Sequence, residues 1–131
     1  MPIQFTPFDA NQTLPLVERI VADILETGRI YADRFGKVLE EDDYPALFES
    51  KRTLNVLMEE LDLIGCEYGD WSFEKGWVEF PAVMDGNRIL LCWEPADDMV
   101  RWFRFYEDGG RVRRPLPREY RESREESPAA G

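Results

Sequence analysis

The sequence has no histidine, and only two of its 131 residues are cysteine. Without imidazole there is no His general base, no Ser–His or Cys–His nucleophile pair and no His ligand for zinc or haem. Cys66 and Cys92 are too few for a disulfide framework and lack a metal-type spacing. Each is expected to be a small buried hydrophobe with a reduced thiol. Also missing are any run of 18 or more apolar residues, a basic leader at Met1-Pro2-Ile3-Gln4-Phe5, a Gly-rich phosphate loop and an internal repeat. The expectation is a cytoplasmic protein with no membrane contact, no cofactor and no resident metal. No catalytic motif is recognisable, so whether the chain is an enzyme stays open.

Positive charge is the next scarcity: 16 basic residues face 27 acidic ones, a net charge of −11. Residues 111–131 depart from this, with arginines outnumbering glutamates. An acidic body repels phosphate backbones and anionic lipid, which argues against nucleic-acid and membrane partners. The Arg111–Arg114 patch is read as part of a tail that offsets the acidic body. The length suits one domain, and four Trp, five Tyr and eight Phe are enough to build a core.

The apolar spacing divides the chain in two. Thr6, Pro7 and Asp9 form a helix start, but Pro15 predicts that the long helix begins only near Thr13 or Leu14. From there Leu14, Val17, Ile20, Val21, Ile24, Gly28, Tyr31 and Phe35 recur at helical steps over about 25 residues. Glu40-Glu41-Asp42-Asp43 is read as a solvated turn ahead of a second helix, with Asp43 as cap. Leu47, Leu54, Leu57, Met58, Leu61 and Ile64 lie on one face of that helix, and Gly65 stops it. Beyond Gly65 the spacing becomes that of strands. Asp85-Gly86 between apolar runs predicts a two-residue hairpin pairing Val78 with Trp93, Phe80 with Leu91 and Ala82 with Ile89 on a core-facing side. In that register the missing N–H of Pro81 points away from its partner strand, which marks a local edge. A third strand is expected at Val100–Tyr106 and a short extra one at Cys66–Tyr68.

The expected architecture is α+β over residues 1–116. It has an N-terminal antiparallel helical hairpin at about 13–64, packed on a small antiparallel β-sheet of three to four strands at about 66–106. A flexible charged C-terminal tail, disordered or loosely helical, is expected over 117–131. The second sheet face carries Trp77, Glu79, Pro81 and Val83 opposite Glu94, Cys92, Leu90 and Arg88, and the third strand adds either Phe103 and Phe105 or Val100, Trp102 and Tyr106. Glu79 and Glu94 lie on a diagonal about 7 Å apart, a spacing that suits a divalent cation or an acid–base pair. Trp71, Phe73 and Trp77 are read first as core packing and second as a platform for a planar ligand.

The order Phe5-Thr6, Asp9-Ala10-Asn11, Leu14-Pro15, Leu63-Ile64-Gly65, Gly76-Trp77-Val78-Glu79-Phe80-Pro81, Asp85-Gly86, Leu91-Cys92-Trp93, Trp102 and Arg113-Arg114-Pro115-Leu116 resembles an uncharacterised bacterial protein family, catalogued as domain of unknown function 2203. The resemblance covers residues 5–116 and implies a small cytoplasmic protein with no assigned reaction. It also implies a histidine where this chain has Phe103 and a Gly-Glu pair near Ala96-Asp97-Asp98.

Two functional expectations follow. The first is a non-enzymatic interaction or structural module, a homodimer that self-associates through Trp77, Leu90, Arg88, Phe103 and Phe105. The alternative is a protein that binds a small ligand or a divalent cation through Glu79, Glu94, Cys92 and Arg113.

Overall fold

Thr6 opens the first helix with a reciprocal cap. Its hydroxyl accepts the Asp9 N–H at 3.0 Å, and the Asp9 carboxylate accepts the Thr6 N–H at 3.4 Å. The computed structural model describes residues 4–35, 40–41, 43–107 and 112–121. Helix α1 spans Pro7–Phe35 without a break, with Pro15 inside it. The expected start at Thr13 is therefore six residues late. An internal proline costs about 3 kcal/mol where its ring and missing N–H disturb the helix. Here Pro15 lies on the exposed side, while Ala10, Leu14, Val17, Ile20, Val21 and Ile24 form one buried stripe across it. The start of α1 is also tied down at two points, to the strand that carries Pro81 and to the connection that carries Val100. The Phe5 N–H donates to the Pro81 carbonyl at 2.8 Å, and the Val100 N–H donates to the Asn11 side chain at 2.8 Å. Anchoring at both points offsets the proline's cost.

Helix α2 spans Asp43–Ile64; Asp43, expected as its cap, is its first residue, and its carboxylate reaches back to accept the Glu40 N–H ahead of the helix. It buries Ser50, Leu54, Leu57 and Leu61. Gly65, at φ 109°, ends it; the N–H groups of Gly65 and Cys66 both donate to the Leu61 carbonyl. The two helices pack together as an N-terminal pair. No helix among the described residues is long and apolar enough to cross a membrane.

Five strands follow in the spatial order of the chain: β1 (Glu67–Tyr68), β2 (Val78–Met84), β3 (Asn87–Trp93), β4 (Trp102–Phe105) and β5 (Arg114–Pro115). All neighbours are antiparallel, and the fold is α+β. The β2–β3 register runs from Val78↔Trp93 to Met84↔Asn87, as the hairpin reading predicts. Val78, Phe80, Ala82, Ile89, Leu91 and Trp93 all face the core that the helices share. The strand β5 was not expected. It pairs with Trp102 and Phe103, and its Pro115 is tolerated at the outer edge.

Two expectations change. The pairs Leu91↔Phe103 and Ile89↔Phe105 place both phenylalanines on the core side of the sheet, not on its second face. That face instead receives Trp102 and Arg104, opposite Cys92 and Leu90. The reason is alternation: two aromatic residues that flank an arginine bury together and leave the charge outside. The tail expected from residue 117 is also anchored where it begins. Leu116 is buried and its N–H donates to the Arg101 carbonyl; the one-turn helix α3, Arg118–Arg121, seats Tyr120 in the core. The Tyr120 hydroxyl donates to the Val83 carbonyl at 2.9 Å. Asp108-Gly109-Gly110, Arg111 and residues 122–131 lie outside the described residues.

Tyr120→Ala is expected to lower the free energy of unfolding by about 3 kcal/mol, as for other buried aromatic truncations. A urea titration measures it, and a loss below about 1 kcal/mol would mean that α3 adds little to the core.

Candidate functional site

The second face of the sheet forms the floor of a cleft of about 660 Å³. Strand β2 contributes Glu79, β3 contributes Cys92, and Glu94 follows at the end of β3. Arg104 comes from β4 and Arg113 from the residue before β5. The four candidates Glu79, Glu94, Cys92 and Arg113 thus line one cavity, although 34 positions separate the first from the last.

The wall is the connection between β1 and β2, and one buried carboxylate shapes it. Asp70 is 1% exposed. It accepts the backbone N–H groups of Ser72 (3.1 Å), Glu74 (2.9 Å), Lys75 (2.6 Å) and Gly76 (2.7 Å), and the Ser72 hydroxyl as well. Burial acts to raise its pKa, but the Ser72 hydroxyl and the N–H groups of Gly76, Lys75 and Ser72 outweigh it and hold the carboxyl down to about 2. The Gly69 N–H closes the loop on the Trp77 carbonyl at 3.1 Å. Helix α1 supports the loop from below. The Phe73 ring covers Gly28, where an added Cβ would lie 2.1 Å from it, and the Phe73 carbonyl accepts Arg29 Nε at 3.2 Å. Phe73 itself holds a φ of 56°, a strained value for an aromatic residue that the surrounding contacts sustain.

This loop brings Gly69, Trp71, Lys75 and Trp77 to the cleft. Trp77 lies against Gly69 so closely that a Cβ there would meet its indole nitrogen at 2.0 Å. Trp71 stands edge-on to both Tyr68 and Phe73, with ring centroids 5.7 and 6.2 Å away, and is left 65% exposed. Of the three aromatics named as a ligand platform, Phe73 joins the core, and Trp71 and Trp77 reach the cleft.

The charged groups are arranged in pairs. Arg104 holds both oxygens of Glu79, Nη2 to Oε1 at 3.0 Å and Nε to Oε2. Arg113 donates from Nη2 to Asp97 at 3.2 Å and lies 3.8 Å from Glu94. The Arg113 Nε is buried with no hydrogen-bond acceptor. The Cys92 thiol lies 3.9 Å from Glu79. Burial, then the Glu79 carboxylate, push its pKa up to about 11 against the pull of Arg113 and Arg104, so it is a neutral thiol and not a nucleophile at neutral pH. Among the described residues, no group of three or more His, Cys, Asp or Glu is placed to hold a metal ion.

Arg104, Asp97, Lys75 and Asp70 escaped the sequence reading. Alternation along Phe103-Arg104-Phe105 carries the signal for the first, and an Asx turn at Asp70-Trp71-Ser72 the signal for the last. For Lys75 and Asp97 there was no comparable signal. Leu90 and Arg88, expected on a self-association surface, do lie on this face. Arg88 stacks over the Tyr106 ring at 3.9 Å.

The fold and the cleft together define a small α+β protein with a charged, ligand-sized cavity on the outer face of its sheet. Over residues 4–116 the chain matches the family described as Uncharacterized conserved protein (DUF2203), and it belongs to that family. Comparison with curated proteins and with solved structures returns no match.

Asp70→Asn is expected to lower stability by about 2 kcal/mol at neutral pH, the linkage value of a carboxyl held from 3.8 down to about 2. Because the folded-state pKa is depressed, that contribution is complete above the unfolded value and is lost as pH falls from about 4 to about 2. Denaturant titrations across this range should show a shallower acid decline for the variant. A decline as steep as that of the wild type would remove Asp70 as its source.

Proposed function

We propose that the protein binds a small organic molecule in the cleft between the β1–β2 loop and the outer face of the sheet. One observation carries this reading: Glu79, Cys92, Glu94, Arg104 and Arg113 on the floor and Trp71, Lys75 and Trp77 on the wall converge on one cavity of about 660 Å³. Small-molecule sites typically enclose about 300–1,000 Å³, with aromatic walls and a few polar groups. An interface between two copies of the chain calls instead for an apolar centre with charges at the rim. Two of the four apolar residues expected to supply that centre, Phe103 and Phe105, face the core.

A divalent cation fits less well than an organic ligand. Glu79 already gives both oxygens to Arg104, and a cation would have to displace a guanidinium that is itself half-buried. The thiol of Cys92 remains protonated and is a poor ligand for a hard cation.

A thermal-denaturation screen of the full chain tests the proposal, using organic acids, nucleotides, sugars and divalent cations at millimolar concentration. At least one organic class is expected to raise the melting temperature, since a ligand at a hundredfold excess over its Kd stabilises by about 2.7 kcal/mol. Trp77→Ala should remove that shift. A flat response to every compound, with a molar mass that rises with protein concentration, would overturn the proposal in favour of self-association.

A further inference from the structure

The hydrogen-bonding groups of the cleft are unequally used. Of its two carboxylates, Glu79 takes two bonds from Arg104, and Glu94 lies 3.8 Å from Arg113, whose other amino group is held by Asp97. Spare donors outnumber the spare acceptors. The Arg113 Nε is buried and lacks an acceptor, and the Lys75 ammonium forms no ion pair among the described residues. Lysine and arginine side chains at the lining of a cavity are matched by a group that brings acceptor oxygens.

Charge narrows the choice further. Three cations, Lys75, Arg104 and Arg113, line the cleft against two carboxylates, Glu79 and Glu94. The lining is thus slightly positive within a chain of net charge −11. A single negative charge is matched there, whereas a dianion would meet Glu79, Glu94 and the surrounding acidic body. The remaining feature is aromatic. Trp71 packs against Tyr68 and Phe73 and stays exposed beside the cleft, and Trp77 lies close enough to Gly69 to exclude any side chain there. Large indole surfaces beside unmet donors suit a planar ring that carries one acid group.

Resting on the small-ligand reading, we infer that the cleft takes a small aromatic monocarboxylate. The acid group pairs with Arg113 and Lys75, and the ring lies along Trp71 and Trp77. Arg113 is the anchoring residue, because its guanidinium lines the cleft and only one of its amino groups is spent, on Asp97.

Calorimetric titration of the full-length protein with benzoate and indole-3-carboxylate tests this, while proton NMR follows the indole N–H signals of Trp71 and Trp77. Benzamide keeps the ring without the charge, cyclohexanecarboxylate keeps the charge without the ring, and phenyl phosphate adds a second charge. The aromatic carboxylates are expected to move both indole signals and to bind at least about tenfold tighter than any of the three controls, the ratio expected for one charge-assisted contact. Arg113→Gln should weaken them about tenfold. Because that change also disturbs Asp97 and Glu94, Lys75→Gln provides an independent check on an exposed side chain and should weaken them severalfold.

If a control matches benzoate while moving the same signals, the aromatic monocarboxylate assignment is wrong and the binding cleft stands. The same holds if hits of the stability screen move the indole signals and the aromatic carboxylates do not. If no probe and no screen hit moves either signal, the binding cleft itself is refuted.

Discussion

Asp85 and Gly86 take φ values of 52° and 78°, so the β2–β3 hairpin closes through a two-residue turn in which both central residues are left-handed. That turn admits one register, and the register decides the rest of the molecule. Side chains alternate along a strand, so a slip by one residue would send Phe80 and Leu91 to the outer face and bring Glu79 and Cys92 into the core. The pairing of β3 with β4 carries the same phase one strand further and puts Phe103 inside and Arg104 outside. A second consequence concerns Pro81. Its absent N–H lies at the side of β2 away from β3, where the short strand β1 has already ended; the Phe5 N–H satisfies the Pro81 carbonyl on that side. The start of α1 is thereby fixed to the sheet, and with it the helix passes through Pro15.

The outer face holds charges that a sheet built only for stability would avoid. Arg104 and Glu79 are 25% and 16% exposed, and the desolvation of such a pair consumes much of its Coulombic gain. Apolar side chains of the same volume would serve folding equally well. What the ion pairs do provide is a rigid polar floor. Arg104 grips Glu79 with two hydrogen bonds, and Arg113 is held by Asp97, whose carboxylate also accepts the Glu94 N–H. Each guanidinium is thus held in one orientation by carboxylates of the same face.

Much of this was legible from periodicity and turn chemistry. The helix stripes, the Gly65 stop, the Asp85-Gly86 hairpin and its core-facing pairs all follow from local patterns, because each is specified by neighbours within a few residues. The placement of Glu79, Cys92 and Glu94 on one face came from the same register. Long-range features were less legible. Proline's local cost argued for a late start to α1, and only the contacts of Phe5 with Pro81 and of Asn11 with Val100 reverse that. Strand β5 and the docking of Tyr120 depend on partners more than ten residues away. Asp70 is the most instructive case. A solitary aspartate in a polar loop has no periodicity to betray it, yet five donors converge on its carboxylate.

That carboxylate also joins the two layers of the protein. The loop it organises supplies the cleft wall on the outer side of the sheet, and the same loop presses Phe73 onto Gly28 of α1 on the inner side. Gly76, at φ 80°, packs so closely on Val21 and Leu25 that an added Cβ would lie within 2.8 Å of the former. The cleft wall is therefore part of the core's packing, not a loop laid over it. Local opening of such a wall requires Phe73 to leave α1, so its free energy is drawn from that of the helix–sheet core. A ligand held between this wall and the sheet floor would be coupled to the same core. The five hydrogen bonds at Asp70 thus hold the outer wall and the helix–sheet core together.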